Sequence, residues 1–153
     1  MSPRFVLPVL VAAWLATPAL VSAQTVSAEV KLNFPVNLTQ LGPDVQKVKV
    51  TCAIISDAIT AGTSGVLSSA SGGRWVEQSA EFPATGGLVS TNAILTFSLT
   101  GLDNPVGKNA SISCILVGWS VAEQKWNFFN TAATNVSFRT TTNVPTLQSS
   151  FVW

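Results

Sequence analysis

The chain has 153 residues, a formal net charge of +1, two cysteines, and neither histidine nor tyrosine. Without histidine, serine-histidine triads, cysteine-histidine pairs and histidine-ligated metal sites are excluded, and no cofactor is expected. Charged residues make up 10% of the chain and Lys47 and Lys49 are the one close basic pair, so nucleic acid and anionic membrane surfaces would not find the cationic cluster they need.

Residues 1–23 combine Arg4 near the start, an apolar stretch from Phe5 to Leu20 and the small-residue ending Val21-Ser22-Ala23. That is the layout of a secretory signal peptide. Pro8 and Pro18 interrupt the stretch and no basic stop-transfer cluster follows it, so the mature chain is expected to have no membrane span. Residues 24–153 then form a single domain, long enough to bury a core, that is secreted, periplasmic or displayed at the cell surface. Loss of Arg4 brings its net charge to zero. Thiols oxidise in such compartments, so Cys52 and Cys114 are expected to form one disulfide.

From Thr25 to Leu38 every even position is apolar (Val26, Ala28, Val30, Leu32, Phe34, Val36, Leu38), while the odd ones are polar or Pro35. The period of two predicts a strand with one buried face, and Pro35, which lacks an N–H, predicts that it lies at a sheet edge or bends there. Val48, Val50, Cys52 and Ile54 form the inward side of a second strand, with Lys47 and Lys49 on its wet face. The Gly/Ser/Ala-rich residues 58–73 read as a long loop with a short irregular strand, and Arg74 to Phe82 as a weaker strand ended by Pro83. Val89 to Leu99 alternates again up to Gly101. Ala110 to Trp119 is apolar on both faces, Ile112, Cys114 and Leu116 opposing Ile115, Val117 and Trp119, which predicts a central strand or a covered outer face. Lys125 to Asn130, Val136 to Thr140 and Leu147 to Trp153 complete about eight short strands. The fold class is all-β, an antiparallel β-sandwich of Greek-key type with one disulfide.

Inward-facing Cys52, Trp75 downstream and inward-facing Cys114 together resemble the cysteine, tryptophan, cysteine arrangement of immunoglobulin-like domains, a resemblance spanning Val45 to Trp119. It implies that the disulfide pins two sheets together. The alternating segment just after the leader is similar to the N-terminal strand of chaperone-usher pilins, which is donated to the next subunit. That resemblance implies a contact role for Val26, Val30, Leu32 and Phe34, the bland alternative being an ordinary first edge strand.

No catalytic set is visible. Glu77 and Glu81 are the closest carboxylate pair, and along one strand they stand about 13 Å apart, too far for a glycosidase dyad and suited to a solvated face. Asp103 belongs to turn chemistry, and the Asn-x-Ser/Thr triplets at Asn37, Asn109 and Asn135 carry no functional weight. Among the aromatic residues, core packing is the expectation for Trp75, Trp126, Phe128, Phe129, Phe151 and Trp153. Trp119 is the exception, because its parity opposes that of Cys114. The sequence therefore points to a non-enzymatic structural or protein-interaction module with a protein partner or self-assembly. The alternatives are a fimbrial or filament subunit donating Val26 to Leu38 and, since the chain ends in Phe151-Val152-Trp153, a small outer-membrane β-barrel.

Overall fold

Alternating burial along the chain builds two facing sheets whose apolar sides share one core. The computed structural model describes residues 25–130, 133–139 and 147–153, and the leader expected over residues 1–23 lies outside the described residues. The strands are β1 (Thr25–Leu38), β2 (Val45–Ser56), β3 (Val66–Ser68), β4 (Arg74–Pro83), β5 (Val89–Asp103), β6 (Asn109–Ser120), β7 (Lys125–Phe128) and β8 (Leu147–Val152). β1 and β5 form a two-stranded antiparallel sheet, while the larger sheet has the order β3-β4-β2-β6-β7, with β8 also on β6. The architecture is all-β, antiparallel and sandwich-like. No helix among the described residues is long and apolar enough to cross a membrane.

The core lies between the sheets. β2 contributes Val48, Val50, Cys52 and Ile54, β6 contributes Ile112, Cys114 and Leu116, and β5 contributes Ala93, Leu95, Phe97 and Leu99, all buried. The even positions of β1 face the same way: Val36 is buried and Val30, Leu32 and Phe34 pack partly buried against the core. Val30, Leu32 and Phe34 lie opposite Phe97, Leu95 and Ala93 of β5 in the same chain. β1 is an edge strand, in accord with Pro35. Ser98, opposite Glu29, turns its carbonyl away from β1 to Ser64 Oγ, so alternation points the backbone groups of Val30, Leu32 and Phe34 toward β5 and those of position 35 outward, where a missing N–H breaks no ladder bond.

Close approaches demand glycine at Gly101 and Gly118, among other positions. Gly101, with φ +77°, sits within the irregularity where the β1–β5 register shifts, and a Cβ there would come within 2.5 Å of the Gly62 carbonyl oxygen. A Cβ on Gly118 would stand 2.6 Å from the Phe129 ring and 2.7 Å from the Phe138 ring. Those two rings, with centroids 5.4 Å apart, lie directly on the β6 backbone and close one end of the core.

The structure corrects three expectations. Cys52 and Cys114 are bonded, but they sit directly opposite one another on neighbouring strands β2 and β6, so the bond staples one sheet and does not join two. Their Cα separation of 4.0 Å is that of the closer, non-hydrogen-bonded type of antiparallel pair. Trp75 lies opposite Ile55, at the outward parity of β4, and so does not pack on the disulfide. The strand expected from Val136 to Thr140 is a 3-10 turn over Val136–Phe138, Thr140 lying outside the described residues; the Asn135 side chain accepts from the Ser137 N–H, and Phe138 turns inward.

Two outcomes follow. Replacing both Cys52 and Cys114 with Ala opens a cross-link between residues 62 positions apart and should lower unfolding free energy by about 4 kcal/mol, read by urea denaturation. Deleting residues 24–38 uncovers Phe97, Leu95 and Ala93 of β5 and should abolish cooperative thermal unfolding; a truncated chain that still melts sharply would show β1 to be dispensable.

Candidate functional site on the outer face of the larger sheet

The outward face of the larger sheet is where polar side chains would be expected, and at one end it carries aromatic ones. Cross-strand register sets the rows: Lys47 lies opposite Trp119, which lies opposite Trp126, and Lys49 lies opposite Val117, which lies opposite Phe128. Ile115 follows, opposite Thr51. The Trp119 and Trp126 rings meet edge to face with centroids 5.4 Å apart. Phe128 is 59% exposed, whereas Val117 beside it is buried.

Two ammonium groups lie over these rings. Lys49 Nζ is 4.2 Å from the Trp126 centroid, and Lys47 Nζ is 5.1 Å from Trp126 and 5.6 Å from Trp119. Lys47 also donates to Glu81 Oε2 at 2.7 Å. Each cation-π contact at such a surface contributes roughly 0.5–1 kcal/mol, enough to hold the rings in place but not to explain why they are outside the core. Chemically, the patch offers aromatic edges and faces, aliphatic lysine stems and cationic tips.

Trp119 thus stands outward, as its parity implies. Trp126 and Phe128, expected in the core, join it there. The signal that could have found them is the pairing of β7 with β6, since any residue opposite Trp119 must share its face. Phe129 is buried, and Phe151 and Trp153 pack against the core, the Trp153 indole N–H donating to Ser56 Oγ at 2.9 Å. Val30, Leu32 and Phe34 face inward on the other sheet and Val26 lies at its end, so none of the four meets Trp119. Glu77 and Glu81 share the outward side of β4, with Glu81 tied to Lys47. Among the described residues, no group of three His, Cys, Asp or Glu side chains could hold a metal ion.

Behind the aromatic end, Asp44 organises three segments. Its carboxylate accepts from Ser120 Oγ at 2.6 Å, Asn135 Nδ2 at 2.7 Å and the Ala122 N–H at 2.7 Å, joining the β1–β2 loop to the β6–β7 turn and the 3-10 turn. The Ser120 hydroxyl, the Ala122 N–H and the Asn135 amide all favour the ionised carboxylate and hold its pKa below the ordinary value. Glu123 is lowered as well, first by the hydrogen bond from Lys125 and then by that from Asn127. Glu123 lines a cleft of about 270 Å³ with Lys125, Asn127, Phe128 and Asn135, whereas Asp44 holds the turn that presents β7.

No protein-family model, no curated protein and no solved structure matches the chain.

A depressed carboxylate pKa contributes stability above the unfolded-state value, near about 4, and that stability is lost as pH falls through the folded-state value. Urea denaturation at pH 6 and pH 3 should therefore show a larger acid loss for the wild type than for Asp44→Asn, which cannot ionise; equal losses would show that Asp44 adds nothing to the acid sensitivity.

Proposed function

We propose that the protein is an exported, non-enzymatic contact module, structural or protein-binding, that uses the Trp119, Trp126 and Phe128 face of its larger sheet. The observation that carries this reading is the exposure of Phe128 beside two half-buried tryptophans on the outward face of the larger sheet. Aromatic side chains anchor protein contacts because they bury large area with few rotatable bonds. The lysines over the rings supply solubility in the free state and polar contacts in the bound one.

Support for a self-contained module, as against a subunit donating Val26 to Leu38, comes from β1 lying in its own chain's sheet along its whole length. The inward-facing aliphatic core weighs against a small membrane barrel, whose apolar band faces outward.

A photo-crosslinking amino acid at position 128, with position 33 on the outer side of β1 as control, tests the reading in the cells that export the protein. Adducts are expected at 128 and not at 33. Their absence at 128, or equal yields at both positions, would overturn it.

A further inference from the structure

Among the described residues the smaller sheet has two strands and therefore two outer edges, and the sequence treats them differently. On β1 the residues whose backbone groups turn away from β5 include Glu29, Lys31 and Pro35. Charge and proline are the usual means of keeping a sheet edge from pairing with another chain. β5 carries neither along the corresponding stretch.

The direction of the β5 edge follows from its contacts. Thr100 accepts from the Ser64 N–H through its carbonyl and donates its N–H to Ser64 Oγ, and the Ser98 carbonyl accepts from the same hydroxyl. Ser98 and Thr100 therefore turn their backbone groups away from β1. Register is unbroken from Ser98 down to Val89, so Ser90, Asn92, Ile94 and Thr96 turn the same way. Among the described residues no strand pairs with β5 on that side. The edge is uncharged, and Ile94 on its outward side is 70% exposed.

We propose that this open edge pairs with the same edge of a second copy of the chain, antiparallel about a two-fold axis beside Ala93. An antiparallel edge is complementary to itself under two-fold rotation. With the axis at Ala93, Asn92 lies opposite the partner's Ile94 and Ser90 opposite the partner's Thr96. Every free N–H and C=O from 90 to 96 then finds a partner. Centring on Ile94 instead would set Ser90 opposite the partner's Ser98, whose carbonyl Ser64 already occupies. Because the edge holds no charge, like-with-like pairing brings no repulsion, and the two Ile94 side chains become diagonal neighbours within reach of each other. Two small sheets become one of four strands.

This goes beyond the contact-module reading and uses a different sheet, so either can fail alone. Sedimentation equilibrium of the mature protein over a concentration series should show a monomer–dimer equilibrium. Ile94→Pro removes an N–H that turns away from β1 and pairs with no strand among the described residues, and Ile94→Lys places like charges on diagonal positions; each should raise the dimer dissociation constant at least tenfold. Asn33→Pro, the matched change on the β1 edge, should leave it unchanged. Circular dichroism and thermal melting confirm that each variant is folded, and Ile94→Lys serves if Ile94→Pro does not fold. A wild type that stays monomeric at the highest soluble concentration would overturn the proposal. So would a dimer that withstands Ile94→Lys, or one weakened by Phe128→Glu and by neither change at Ile94.

Discussion

The pairing of β2 with β6 is the constraint on which both faces of the larger sheet depend. Side chains alternate along a strand, so a one-residue slip would exchange every inward residue for an outward one. The Cys52–Cys114 bond joins residues that are directly opposite in the ladder and so excludes that slip. With those two positions fixed, Ile54 meets Ile112 and Val50 meets Leu116 in the core, while Lys49 meets Val117 and Lys47 meets Trp119 outside. β4 takes its register from β2, and β7 and β8 take theirs from β6. A bond between sheets would have fixed their spacing but not this register.

What could be read from the sequence follows the range of each interaction. Alternation is local, and β1, β2, β5 and β6 were legible from it, including the edge position implied by Pro35 and the outward side of Trp119. The geometry of the disulfide was not. Two inward cysteines have the same parity whether they lie side by side in one sheet or face each other across the core, and only strand order separates the cases. Phe128 and Phe129 pose a similar problem. Of two adjacent aromatics only one can point inward, and the choice is made by Trp126 pairing with Trp119 in a different strand.

Asp44 shows the same limit in a polar group. In the sequence it belongs to an ordinary Gly-Pro-Asp turn, where short polar side chains satisfy nearby backbone groups. In the structure its side-chain partners Ser120 and Asn135 are 76 and 91 positions away. One carboxylate thereby gathers the loops at the end of the sheet that presents the aromatic face. Its replacement of local by distant partners also explains the 3-10 turn, since Asn135 caps that turn with one side-chain atom and reaches Asp44 with another.

The distribution of tryptophan sharpens the meaning of that face. Of Trp75, Trp119, Trp126 and Trp153, only Trp153 packs against the core; the other three stand at outward positions of β4, β6 and β7. A chain selected for folding alone gains most from its largest apolar side chains where they leave water altogether, and the core here is filled instead by Val, Ile, Leu and Phe. The aromatic area has been kept on the wet side, under lysine stems that shield it without covering Phe128. Central strands β2 and β6 serve both arrangements at once, aliphatic residues inward and aromatic or cationic ones outward, which is why β6 is apolar on both faces although only one of them contributes to the core.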